Sequence, residues 1–131
     1  MPGTVIVHTL AGAKKAVEAC KLIEALYSAG RRLVVHLDDP GRAAILDEML
    51  WTFSQGSFIP HSLWAGEEES DDPIVIVAGD LANPNGADTL VVAGRLERPD
   101  AAAFGEIHDL AAQVAEDAGK AEAWRAAGFE V

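Results

Sequence analysis

The chain predicts an α/β fold, a three-layer α/β/α sandwich with a mainly parallel sheet, Rossmann-like in topology but without a phosphate-binding loop. Three observations lead there. Short apolar runs alternate with segments of helical periodicity, the pattern of strands joined by crossover helices. The runs Leu33-Val34-Val35-His36-Leu37 and Ile74-Val75-Ile76-Val77 are almost wholly apolar, as strands covered on both faces must be. Neither GxGxxG nor GxxxxGK[ST] occurs, and Leu10-Ala11-Gly12-Ala13, after the first strand, offers one glycine where a phosphate cradle uses several.

The elements follow in order. Val5-Ile6-Val7 reads as a buried strand, and residues 13–29 as an amphipathic helix because Ala16, Ala19, Cys20, Ile23, Leu26 and Tyr27 recur at helical spacing. Gly30 supplies a left-handed stop. After the strand at 33–37, Asp39 is placed as an N-cap with Pro40 in the first helical turn. The helix that follows, to about Phe53, is expected to bury Ile45, Leu46, Met49, Leu50 and Phe53. Residues 54–72 read as a loop closing on the acidic run Glu67-Glu68-Glu69-Ser70-Asp71-Asp72, long enough to be functional or mobile. A third strand occupies 74–77, Asn83-Pro84-Asn85-Gly86 is turn chemistry, and a fourth strand occupies 89–92. The turn-rich link between these two, about ten residues, leaves their orientation open, antiparallel neighbours being one arrangement. Pro99-Asp100 is expected to start a third helix burying Phe104, Ile107, Ala111 and Val114, and a last short helix runs from Trp124 to Gly128.

Composition sets further bounds. The 131 residues suit one domain, here 1–131, and are 50% hydrophobic and 24% charged, the balance of a globular protein. No apolar run approaches the roughly 20 residues of a membrane span, and the N-terminal stretch lacks a basic-then-apolar signal, so a cytoplasmic location is expected. The net charge of −11 falls mainly after residue 50, and the bases are scattered or in pairs such as Lys14-Lys15 and Arg31-Arg32. Direct binding to a phosphate backbone, which requires clustered cations, is therefore not expected.

Catalytic patterns are sparse. Cys20, the single cysteine, lies on the apolar helical stripe and reads as core. His8, His36, His61 and His108 show neither HxxxH nor HxxE spacing, and no metal or other cofactor is expected. Ser57 and His61 lack a strained GxSxG elbow. Asp47 and Glu48 are adjacent on a helix and point apart, which makes an acid/base pair implausible. One enzyme reading stands: His36, Asp38 and Asp39 lie at the carboxyl end of a strand, where α/β enzymes place nucleotide or metal sites. Its plainer alternative gives Asp39 to the helix cap and Asp38 to a solvated turn.

The aromatic stretch is more informative. Trp51, Phe53, Phe58 and Trp64, with Ile59 and Leu63, either close the core as a lid or present an interface. Phe58 lies outside helical periodicity in Ser57-Phe58-Ile59-Pro60-His61, where proline restricts the chain and can hold a ring at a pocket rim. Aromatic residues in preshaped loops are typical interface anchors.

These residues resemble the chi subunit of bacterial DNA polymerase III holoenzyme. The likeness is carried by Leu46-Asp47-Glu48-Met49-Leu50-Trp51-Thr52-Phe53 and the Phe58 loop, with support from Tyr27-Ser28-Ala29-Gly30-Arg31-Arg32, Pro73-Ile74, Asn83-Pro84-Asn85-Gly86-Ala87 and Trp124-Arg125-Ala126-Ala127-Gly128-Phe129. The resemblance implies a noncatalytic accessory subunit in DNA replication. It would link the clamp loader to single-stranded-DNA-binding protein by receiving that protein's acidic C-terminal tail, touching DNA only indirectly, with the psi subunit or another clamp-loader subunit as second partner. It assigns a part in the tail-binding pocket to Phe58; beside it, Ile59, Pro60 and His61 are expected to complete an apolar socket and Lys120 and Arg125 to supply charge. The chain departs from the family pattern near Ala121 and Glu122, where a tyrosine and a lysine are expected. From residue 101 onward Lys120 and Arg125 are the only bases.

Overall fold

The computed structural model describes residues 3–9, 15–53, 59–64, 66, 69–93, 101, 103–111 and 119–131. The elements are β1 (Thr4–Thr9), α1 (Lys15–Ser28), β2 (Leu33–Leu37), α2 (Pro40–Phe53), β3 (Ser62–Leu63), β4 (Ile74–Ala78), β5 (Thr89–Val92), β6 (Glu106–Ala111) and α3 (Lys120–Ala126). The strands form a six-stranded sheet in the order β1-β6-β5-β2-β4-β3. Every adjacent pair is parallel. The expected three-layer α/β architecture with a mainly parallel sheet is what the chain adopts.

Successive side chains along a strand point to opposite faces, so the apolar runs feed two cores. One face carries Leu33, Val35, Ile74, Ile76, Val91 and Leu110 against α1 and α2, through Cys20, Ile23, Leu46 and Leu50. The other carries Val5, Val34, Val75, Val77, Leu90 and Ile107 against Trp124 of α3 and Phe129.

Two sequence expectations are corrected. The segment expected to form a third helix burying Phe104, Ile107 and Ala111 is instead strand β6, inserted between β1 and β5. All three residues are buried, but Ile107 and Ala111 lie in the strand and Phe104 in the segment just before it; Val114 lies outside the described residues. Alanine-rich flanks favour helix locally, yet strand pairing on both sides of residues 106–111 supplies more hydrogen bonds and burial than local propensity can offset. The strands at 74–78 and 89–92 are not neighbours: each pairs with β2, in parallel. The loop expected over 54–72 also contains β3, two residues pairing with β4.

Local chemistry explains the boundaries. At the end of α1, Gly30 takes φ 84°, Arg31 N–H donates to Leu26 O at 3.0 Å and Gly30 N–H to Tyr27 O at 3.0 Å, a Schellman stop. The same motif ends α3: Gly128 has φ 95°, Phe129 N–H donates to Trp124 O and Gly128 N–H to Arg125 O. Its accompanying apolar contact is the edge-on pair of Trp124 and Phe129, 4.9 Å between centroids. This stop turns the chain so that Val5 N–H donates to Glu130 O at 2.7 Å on the outer side of β1. Asp39 caps α2 as expected, its Oδ1 accepting from Gly41 N–H at 2.8 Å. Asn85, in the turn before β5, is buried and donates through Nδ2 to Leu33 O and Asp72 O, each at 3.0 Å, which ties the starts of β2 and β4 together.

The docking of α3 rests on a buried carboxylate. Asp109 of β6 is 2% exposed and accepts from Trp124 Nε1 at 2.8 Å and Lys120 Nζ at 2.7 Å. Replacing Asp109 with Ala removes the counter-charge of the part-buried Lys120 ammonium and the carboxylate acceptor of the Trp124 indole N–H, so Asp109→Ala should cost about 3 kcal/mol in urea unfolding. Asp109→Asn, which retains an acceptor for Trp124, should cost less.

Candidate functional site

The aromatic stretch is built where α2 ends and β3 begins. Leu46 and Leu50 are buried on the sheet side of α2, while Met49 and Phe53 are partly buried against the same core. Ile45, expected in the core, points to solvent at 58% exposure, and Trp51, for which a core lid was one reading, is 52% exposed. The helix buries a narrower stripe than its composition suggests, because a single sheet face lies beneath it. Leu63, on the edge strand β3, is also exposed.

The residues assigned to partner binding take different positions. Ile59 is buried and joins the α1–α2 core; Pro60 is half-buried. Phe58 lies outside the described residues. His61 does not face outward: its side chain is fully buried, with Nδ1 2.7 Å from Ile59 O and Nε2 3.1 Å from Asp47 O and 3.2 Å from Asp47 Oδ1. The Trp51 ring lies against it, 4.3 Å between centroids.

Lys120 and Arg125 lie elsewhere. Lys120 Nζ is held by the Asp109 carboxylate and by Leu110 O at 3.0 Å, so its charge is already matched within the fold. Arg125, one position past buried Trp124, is exposed. Ile59 packs on one face of the sheet beside the β3 edge, and α3 packs on the opposite face beside β1, the other edge. With neighbouring strands about 4.8 Å apart, the two edges are separated by about 24 Å. Of the residues expected to share one socket, Ile59, Pro60 and His61 therefore lie by one edge and Lys120 and Arg125 by the other, with Phe58 outside the described residues.

The strand-end alternative is also placed by its contacts. His36 is buried and hydrogen-bonds through Nε2 to Gly79 O, Asp39 serves as the helix cap, and Asp38 is exposed. The three do not converge on one open cleft. Among the described residues, no group of three or more His, Cys, Asp and Glu is arranged to hold a metal ion. Cys20 is fully buried and its thiol is pushed up to about 11 by burial, in keeping with a core role.

Sequence reasoning missed a polar cluster at the β1 edge. His8 Nε2 lies 2.8 Å from His108 Nδ1, with the rings stacked at 5.1 Å. His108 Nε2 is within ion-pair range of Glu106 Oε2, at 3.1 Å, though misaligned for a hydrogen bond, and Arg31 Nη1 approaches the same oxygen at 3.3 Å. His8 and His108 are far apart in sequence, and the signal that joins them, the β1–β6 register, exists only once residues 106–111 are read as a strand.

Fold and site together define a Rossmann-like scaffold that presents side chains at two opposite sheet edges. The chain belongs to the family described as "DNA polymerase III chi subunit, HolC", whose model matches residues 4–130. It is 36% identical over 62 residues to DNA polymerase III subunit chi of Pseudomonas aeruginosa, covering 47% of this chain and 42% of that protein. It is 35% identical over 72 residues to the probable DNA polymerase III subunit chi of Rickettsia prowazekii, covering 55% of this chain and 43% of that one. The matched segments thus span less than half the length of either relative. In three dimensions the chain resembles the C-terminal domain of a Sulfolobus solfataricus SWI2/SNF2 ATPase, with a TM-score of 0.60 at 10% identity over 86% of this chain and 56% of that one. At that identity the likeness concerns the fold alone. No described helix is long and apolar enough to cross a membrane.

Burial, reinforced by the neighbouring His108, lowers the His8 pKa from its ordinary 6.5, with Asp109 opposing. The unfolded chain therefore takes up the proton more readily. The contribution is fully present above about pH 6.5 and is lost as pH falls toward the lower folded value. The melting temperature should fall on acidification from about pH 7.5 to about pH 5.5, and His8→Gln should flatten that slope.

Proposed function

We propose that the chain is a noncatalytic, cytoplasmic adaptor of the replicative polymerase, linking the clamp loader to single-stranded-DNA-binding protein. The observation that carries this reading is the family match over residues 4–130. A bridging role needs two surfaces that can be occupied at once, and the separation of residues 59–61 from α3 suits that requirement.

Charge decides which partner goes where. An acidic tail is favoured near unmatched positive charge and disfavoured near carboxylates. Residues 59–61 pack over Asp47, with exposed Glu48 next along α2. They also precede Ser62, which pairs with Val75, so they lie at the same end of the sheet as Asp71 and Asp72. The acidic tail is therefore assigned to the α3 edge, with Arg125 as its exposed cation and Lys120 holding the helix in place. The apolar segment Phe58, Ile59, Pro60 and His61 is assigned to the psi subunit or another clamp-loader subunit, with Phe58 as the contacting ring.

Calorimetry with a peptide that ends in acidic residues and one apolar residue tests the first assignment. Arg125→Glu should weaken binding by about tenfold, and the wild-type affinity should decline with added salt. Equal affinity in the variant removes the α3 edge as the tail site. The second assignment is tested with Phe58→Ala: burying one phenylalanine is worth roughly 1.5–3 kcal/mol, so capture of the clamp-loader partner should drop by about tenfold or more while tail binding is unchanged.

A further inference from the structure

The chain has two asparagines, both in the turn that leads to β5, and they stand before different neighbours. Asn83 precedes Pro84, whose ring nitrogen carries no hydrogen and cannot act as a nucleophile. Asn85 precedes Gly86, which is exposed, takes φ 63° and has open space beside its α-carbon. With no side chain to shield it, the Gly86 amide nitrogen is free to attack the side-chain carbonyl carbon of Asn85 once the two are brought together. The fold opposes that reaction. Asn85 is buried, and its Nδ2 donates to Leu33 O and Asp72 O, each at 3.0 Å, with Pro73 O at 3.5 Å. These carbonyls fix which end of the amide is the nitrogen, since an oxygen there would meet acceptors only. The turn is pinned around it. Arg32 Nε donates to Asn85 O and Ser70 N–H to Pro84 O, while Asn83 Nδ2 donates to Ala87 O and Ala87 N–H to Asn83 Oδ1, each at 2.8 Å.

We propose that Asn85 is a deamidation site held latent by the fold, a one-way latch released when the 83–87 turn opens. In the open turn the Gly86 nitrogen gives its proton to solvent base and bonds to Asn85 Cγ; the Cγ–Nδ2 bond breaks, and ammonia leaves with a proton taken from water. The product is a succinimide ring. Water then adds to one of its two carbonyls and opens it to aspartate or isoaspartate, so the net change is one water taken up and one ammonia released, with no change of oxidation state. Neither product fits the slot. An aspartate carboxylate is an acceptor only, so it would meet Leu33 O and Asp72 O lone pair to lone pair as a buried charge. Arg32, the cation at the turn, is already engaged by Asn85 O and Asp71 O. Isoaspartate adds a methylene to the main chain inside the Asn83–Ala87 pair and displaces the entry to β5. Either way the tie between the starts of β2 and β4 is lost for good, whereas an intact asparagine re-forms it each time the turn closes. The latch does not depend on the adaptor reading.

The test is peptide mass spectrometry of the full-length chain after incubation in mildly alkaline buffer. In urea above the unfolding midpoint, Asn85 should convert to the acid about tenfold or more faster than in the native chain, while Asn83 remains an amide in both. Arg32→Ala, which unpins the turn without touching either asparagine, should speed conversion several-fold in native buffer while circular dichroism shows the chain still folded. Equal rates in native buffer and urea, no conversion in urea, or a wild-type rate in Arg32→Ala overturns the proposal. The consequence is read from Asn85→Asp, whose urea midpoint should fall below that of the wild type. If that variant does not fold, wild-type chain aged in urea and returned to native buffer replaces it: the converted fraction should be missing from the folded peak in size-exclusion chromatography, with the unconverted fraction recovered there. Converted chain that refolds with wild-type stability contradicts the latch.

Discussion

Both faces of the sheet are covered, by α1 and α2 on one side and α3 on the other, which leaves its edges and the backs of its helices facing solvent. A parallel sheet of nearly continuous apolar strands has no other stable arrangement, since either bare face would expose a band of Val, Ile and Leu. The two margins of the sheet differ in chemistry. The β3 side presents Trp51 and Leu63 over a buried histidine and a carboxylate, while the α3 side presents Arg125 on a helix fixed by the Asp109 carboxylate.

Buried polar groups hold these margins in register. Asp109 joins β6 to α3, Asn85 joins the starts of β2 and β4, and His61 joins the entry of β3 to α2. Each is a polar group in a largely apolar setting, where an unmatched donor or acceptor is costly and a matched one selects a single arrangement. In each case side-chain atoms on one element meet partners distant in sequence, which fixes tertiary geometry rather than local conformation.

Much of the fold could be read from residue order. The apolar runs at 33–37, 74–77 and 89–92 became strands, Gly30 and Gly128 ended helices, and Asp39 capped α2, because each depends on neighbours within one turn or one strand. Residues 106–111 could not be read the same way. Ile107, Ala111 and the alanines around them fit a helical stripe as well as a strand, and the deciding term is pairing with β1 and β5, which is nonlocal. The site was legible to a lesser degree. The motif around Phe58 marks a family, but the sheet order that sets Ile59 and Arg125 at opposite edges depends on β6 entering beside β1. His61 looked like a surface ligand because its acceptors, Ile59 O and Asp47 O, are backbone atoms that no residue type announces.

The central claim is that one small scaffold holds two partners at separate edges. Its most direct test is a saturation experiment: the affinity for the acidic tail peptide is measured with the chain free and again with the chain saturated by its clamp-loader partner. The account predicts the same affinity in both states and a ternary complex in sedimentation. Mutual exclusion, with the tail displaced as the clamp-loader subunit binds, would contradict it.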